Sequence, residues 1–202
     1  MTEHKINTFI FDCFGVICDP VLNGWYNENR LKKGFVDENL KNVFEKFDLG
    51  ELSEEDMIDY FSKYEGVNSS KDELREQIDS LLGIDSNLVK TIKELKNKGY
   101  KTALLSNANA AFFNRKVYPT YPEFKNLFDE IIISSEVGMV KPYKDIYLHT
   151  LSRIDSKPEE SLFVDDSKAN VDAAEELGIN GFLYTDSDSF LEYVNSLGIN
   201  LE

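Results

Sequence analysis

Cysteine is nearly missing: the 202 residues hold two, Cys13 and Cys18. One pair builds no disulfide framework, and the spacing matches neither C-x-x-C nor a zinc pattern. Both flank the first apolar run, where small apolar side chains pack well. They read as structural residues of a reducing compartment. Long apolar runs are missing too, and none approaches the length of a membrane span. Met1-Thr2-Glu3-His4-Lys5 lacks the charged-then-apolar pattern of a signal segment. The expectation is a soluble, cytoplasmic protein. Positive charge is scarce: 22 Lys and Arg stand against 37 Asp and Glu, for a formal net charge of −15. Such a surface repels phosphate backbones and anionic lipid, which argues against nucleic acid and membrane as partners and leaves solubility as the reading of the charge. No internal repeat or low-complexity tract interrupts the chain.

What is present is an ordinary globular mixture, 42% hydrophobic and 29% charged. The length suits one large domain, or one domain carrying a smaller insert, and buries a core without staples. Five short apolar runs, over 8–11, 101–105, 130–134, 161–164 and 181–184, read as buried strands. They are rich in β-branched or aromatic residues and bounded by turn signals. Helical patterns lie between them. In 88–98, Leu88, Ile92 and Leu95 share a face and Gly99 supplies the stop. The stretches 146–154 and 170–177 repeat the pattern, the second ending at Gly178. Strand alternating with helix predicts an α/β fold, a doubly wound parallel five-stranded sheet covered on both faces in a Rossmann-like layout.

The stretch from 19 to 85 has no strand pattern. Leu40, Val43, Phe44 and Phe47 form a helical stripe, and Asp48-Leu49-Gly50 reads as its stop. Ser53-Glu54-Glu55-Asp56 resembles a capping box ahead of a helix carrying Met57, Phe61 and Tyr64. Leu74, Ile78, Leu81 and Leu82 mark a third helix. The expected organisation is a core domain over 1–18 and 86–202 with a helical-bundle cap domain over 19–85.

In an open parallel sheet, ligands bind beyond the carboxyl ends of the strands. There the sequence places Asp12 after the first strand and Ser106-Asn107 after the second. Ser134-Ser135-Glu136 and then Lys141-Pro142 follow the third, Asp165-Asp166-Ser167 the fourth, and Thr185-Asp186 the fifth. Singly, each is as well explained by a turn, a helix cap or a solvated charge. Jointly, the first four sets bring three carboxylates, a lysine and small hydroxyl and amide groups to one crevice. Carboxylates sharing a pocket raise each other's pKa, and a hard, oxygen-seeking cation such as Mg²⁺ relieves this. The remaining groups offer the hydrogen bonds and positive charge that phosphate oxygens require.

The ordered set Asp12, Ser106, Lys141 before a proline, and Asp165-Asp166 resembles the haloacid dehalogenase (HAD) superfamily, as do the stretches "LLSNAN", "SSEVGMVKPYKDIY" and "LFVDDSKANVDAAEELGI". The resemblance covers nearly the whole chain, and the helical insert is similar to the family's helical cap. The motif pattern resembles the glucose-1-phosphatase type. The resemblance implies a Mg²⁺-dependent phosphatase of small phosphomonoesters, sugar phosphates among them, with a small-molecule substrate as partner and a monomer or homodimer as its state. Asp12 would be the nucleophile that forms an aspartyl-phosphate. The metal would be held by Asp12, Asp166 and the backbone carbonyl of Phe14, with Asp165 as a further ligand or its support. Ser106, Asn107 and Lys141 would hold the phosphate and substrate, and Lys141 would offset charge in the transition state. The cap would close over the site.

One position departs from the pattern. Family phosphatases carry Asp two residues after the nucleophile, as proton donor and then acceptor, and here that residue is Phe14. General acid–base help is worth about 10²–10⁴-fold. In extended backbone, residues 12 and 14 share a face while Cys13 points away, which makes Cys13 a poor substitute. Asp19 is the nearby residue that would have to fold back. The alternatives are a metal-independent 2-haloacid dehalogenase, a class that places an aromatic here, and a catalytically weak protein that binds a phosphate compound. Asp165-Asp166 favours the metal-dependent phosphatase, because the dehalogenases replace that pair with small polar residues. The gap at position 14 predicts faster reaction of anomeric, acyl or aryl phosphates than of alkyl ones. Trp25, Tyr26, Arg30 and the aromatic run over 118–124 are candidates for the pocket rim, with plain packing as the competing reading.

Overall fold

The computed structural model describes residues 6–201; residues 1–5, which carry the expectation about a signal segment, and residue 202 lie outside it. The first strand, β1 (Thr8–Phe11), is buried along its whole length. A block of four helices follows: α1 (Val21–Asn29), α2 (Leu40–Asp48), α3 (Glu54–Ser62) and α4 (Lys71–Asp79). The chain then alternates through α5 (Ser86–Asn97), β2 (Lys101–Ser106), β3 (Glu130–Ile133), α6 (Lys144–Ile154), β4 (Ser161–Asp165), α7 (Lys168–Glu175), β5 (Asn180–Leu183) and α8 (Ser187–Ser196).

All strand pairings are parallel and the order is β3-β2-β1-β4-β5. Phe11 lies level with Leu104 on one side and Val164 on the other. Strand alternation sends Phe9 and Phe11 to one face and Ile10 to the other. On the first face they meet Leu88, Ile92 and Leu95 of α5 and Phe190 and Val194 of α8. On the second, Ile10, Ala103, Leu105 and Phe163 meet Ile146, Tyr147, Leu151 and Ile154 of α6 and Ala174 of α7. The doubly wound expectation holds. The first apolar cluster runs on into the helical block through Val21, Trp25, Phe47, Phe61 and Leu74. Trp25 stacks on Phe61 with ring centroids 5.0 Å apart, and its indole N–H donates to Gln77 Oε1 at 3.3 Å.

Local rules set the helix starts. Ser53 with Asp56 opens α3, and Ser70 with Glu73 opens α4, both as reciprocal capping boxes. Asp85 caps α5 by accepting from the backbone of Asn87 and Leu88. Asp186, beyond the fifth strand, does the same for α8 through Ser189. The expected third stripe of the block ends early: α4 stops at Asp79, so Leu81 and Leu82 lie in the turn beyond it. Helix α1 had no legible stripe, because only Val21, Trp25 and Tyr26 of its nine residues are buried.

The chain leaves β1 to form β2 on one side and returns to form β4 on the other. The loops after β1 and β4 therefore part, which opens a crevice at their carboxyl ends.

Candidate active site

Asp12 follows β1 directly, and its backbone N–H donates to Val164 O at 2.9 Å, continuing the pairing with β4 by one residue. The Lys141 ammonium reaches across from beyond β3 and donates to Asp12 Oδ1 at 2.7 Å and to Asp165 Oδ2 at 2.6 Å. Asn107 fixes the lysine's backbone from both sides. Its Nδ2 donates to Lys141 O at 2.9 Å, and its Oδ1 accepts from Lys141 N at 2.8 Å. The amide expected to meet substrate is thus occupied in placing the lysine.

Asp165 is wholly buried. Its carboxylate accepts from Lys141, from Ser167 N at 2.8 Å and from Asn170 Nδ2 at 3.1 Å. Asp166, one residue on, turns outward and lines the cavity. The turn after β1 lies against it. A Cβ added to Gly15 would sit 2.3 Å from Asp166 Oδ2, and Gly15 has φ +97°, so this approach requires glycine. Oxygens of Asp12, Asp165 and Asp166 lie within 4.8 Å of one another, a set that fits a metal ion.

The cavity measures about 480 Å³. Asp12, Asp166, Lys141 and Asn107 form its floor, and α1, α2 and Phe112 form its walls. Phe14 belongs to the wall, its ring 5.8 Å from that of Phe112 and 5.7 Å from that of Phe113. Ser106 stands apart from the lining; its Oγ is fully buried at the end of β2 and has no hydrogen-bond partner among the described residues.

Burial alone would lower the pKa of the Lys141 ammonium, but the charges of Asp12 and Asp165 overcome it and hold the value above the ordinary lysine range. Burial pushes the Asp12 carboxyl up; Lys141 opposes this and Asp165 adds to it. Asp166 is raised by partial desolvation and then by Asp165. Two close carboxylates around one lysine leave an excess of negative charge that a cation would offset.

The family model described as haloacid dehalogenase-like hydrolase matches residues 6–178. The chain belongs to the haloacid dehalogenase-like hydrolase family. Among its relatives, a sesquiterpene phosphatase of Aspergillus oryzae is 31% identical over 146 residues, 72% of this chain and 74% of the relative. A pyrophosphatase of Bacillus mycoides is 24% identical over 86% of this chain and 81% of its own. The fold matches a predicted HAD-like hydrolase from Porphyromonas gingivalis with TM-score 0.73 and 23% identity, over 97% of this chain and 99% of that one. It also matches a HAD family enzyme from Bacteroides thetaiotaomicron, solved with magnesium and inorganic phosphate, at TM-score 0.67 and 23% identity over 89% and 94% of the two chains.

Within this HAD-like chain the remaining candidates sort clearly. Asp19 does not fold back: its N–H donates to Gly83 O at 3.2 Å and its carboxylate packs against Gly83, away from the cavity lining. Cys13 is buried, and burial pushes its thiol well up. Tyr118 stacks among Phe113 and Phe124, so the aromatic run packs and does not rim the cavity. Trp25 packs on Phe61, and Arg30 lies over the rings of Phe35 and Tyr64.

The residue that sequence reasoning missed is Asp48. It ends α2 and lines the cavity with Asp12 and Lys141. One signal was available. A carboxylate in the last turn of a helix opposes the helix dipole, so its presence there calls for another reason.

Proposed function

We propose that the protein is a Mg²⁺-dependent phosphatase that cleaves small phosphomonoesters through an aspartyl-phosphate on Asp12. The observation that carries this is the lysine-held Asp12 at the cavity floor, with Asp165 and Asp166 beside it. The names of the fungal phosphatase and bacterial pyrophosphatase relatives support it, as does the magnesium and phosphate complex of a fold neighbour.

Asp165 is spent on Lys141, Ser167 and Asn170, so that of the three clustered carboxylates Asp12 and Asp166 face the cavity and would hold the ion, with the Phe14 carbonyl. A bound Mg²⁺ supplies charge neutralisation where the Asp12 carboxylate and an anionic phosphoryl group must meet. Lys141 keeps Asp12 aimed and stabilises charge on the phosphoryl oxygens. Ser106 lies one residue from the floor residue Asn107, with a hydroxyl free to donate. The helical block over 19–85 acts as the cap. Its share of the wall is mostly apolar, through Val21, Leu22, Phe44 and Phe47, with Asn23, Asn27 and Asp48 as polar points. This suits a leaving group with substantial apolar surface and a few hydroxyls.

The test is phosphate release from a panel of sugar, alkyl, aryl and prenyl phosphates, with Mg²⁺ and with EDTA, beside Asp12→Asn. Release is expected only with both Mg²⁺ and Asp12. Absence of release from every ester would favour a binding role, and metal-free turnover of 2-haloacids would favour a dehalogenase.

A further inference from the structure

Phe14 leaves the proposed reaction without a proton donor beside the nucleophile. The cavity contains one carboxylate that no other task occupies. Asp12 and Asp165 are tied to Lys141, and Asp166 is pressed against Gly15. Asp48 is half-buried, lines the same cavity, and its side chain has no hydrogen-bond or ion-pair partner among the described residues.

Its backbone is fixed to the sheet, although it belongs to the helical block. Ser134 Oγ, just beyond β3, donates to Asp48 O at 2.6 Å. Asn109 Nδ2, beyond β2, donates to Leu52 O at 3.1 Å. Between them the chain turns at Gly50, with φ +79°, so close to the loop that an added Cβ would lie 3.1 Å from Ser135 O. The end of α2 is thereby held over the carboxyl ends of β2 and β3, on the rim of the crevice that holds Asp12.

We propose that Asp48 is the general acid–base of this active site and fills the role that Phe14 cannot. This rests on the phosphatase reading. In the first half-reaction, Asp12 Oδ bonds to phosphorus, the bond from phosphorus to the leaving oxygen breaks, and the Asp48 carboxyl gives its proton to that oxygen. In the second, a water oxygen bonds to phosphorus, the Asp12–phosphorus bond breaks, and the water's proton passes to the Asp48 carboxylate. Inorganic phosphate leaves and Asp48 is again protonated. Burial pushes the Asp48 carboxyl up to about 7; Lys141 opposes this, and Asp12 and Glu45 of its own helix add to it. Both protonation states are then present near neutral pH, as the two half-reactions require.

The test compares wild type, Asp48→Asn and Asp48→Glu on an alkyl phosphate and on 4-nitrophenyl phosphate, with Mg²⁺. Asp48→Asn is expected to lose about 10²–10⁴-fold in kcat on the alkyl ester. Its first turnover of 4-nitrophenyl phosphate is expected to stay fast and then stall, giving a burst of nitrophenol as the aspartyl-phosphate accumulates. Asp48→Glu should recover part of the loss. Equal losses on both substrates without a burst, or no loss, would overturn the proposal. Wild type gives an independent reading if the variants fold poorly. With the acid in place its rates depend weakly on leaving-group basicity, and a steep dependence would overturn the proposal. A wild type that releases no phosphate from any ester defeats the phosphatase reading and this inference with it. An active wild type matched by Asp48→Asn defeats this inference alone.

Discussion

At the scale of the residue, the site is a set of carboxylates kept in different states by their surroundings. Lys141 shares one ammonium between Asp12 and Asp165 and is nearly removed from solvent. Asp48 has no such partner, and its raised pKa has a consequence for stability. The folded protein holds a proton on Asp48 that the unfolded chain releases, so folding stability falls as pH climbs from about 4 to about 7. Asp48→Asn removes that cost. Its melting temperature relative to the parent is expected to rise across that interval and stay level above it. A constant difference from pH 4 to pH 8 would contradict an unpaired, desolvated carboxylate. Asp12, Lys141, Asp165 and Asp166 were legible because each lies at or beyond the carboxyl end of a strand, and a parallel sheet gathers strand ends. Asp48 was not, because nothing local in Phe47-Asp48-Leu49-Gly50 says that this helix end meets the strand ends; that contact joins residues 86 apart, Asp48 and Ser134.

At the scale of the element, the turn after β1 is the most constrained piece. Gly15 is fixed both by its positive φ and by the Asp166 carboxylate against it. Gly15→Ala is expected to displace Asp166 and raise the Mg²⁺ concentration for half-maximal activity about 10–100-fold, as loss of a metal-site support does. An activity titration with Mg²⁺ checks it, and an unchanged titration would remove Asp166 from the proposed metal site. The strands were legible almost to the residue: 8–11 coincides with β1, the next three differ by one residue at their carboxyl ends, and β5 begins and ends one residue before the expected 181–184. Short runs flanked by turn residues leave little room for error. Helix ends were less legible. α5 begins two residues before the expected 88 because Asp85 caps it there. Leu81 and Leu82 continue the helical period of α4 without continuing the helix, since apolar residues in a turn can bury themselves equally well.

At the scale of the molecule, one apolar cluster includes both the helical block and a face of the sheet. Helices this short are marginal on their own, so the block depends on that shared cluster. Unfolding is expected to be a single transition. Trp25, the one tryptophan, sits in the block, so its fluorescence reports the block while far-UV circular dichroism reports the whole chain. Denaturant midpoints from the two probes should coincide, and an earlier fluorescence midpoint would show a block that melts alone. Described helices give no span long and apolar enough to cross a membrane.

Helix α2 brings Phe44 and Phe47 to the cavity wall and Asp48 to the same cavity. A change that reshapes the wall through this helix also moves the carboxylate. With Asp48 in its proposed role, drift toward a new substrate is therefore tied to drift in rate. A lineage that exchanged the helical block for a different one would then have to regain both at once.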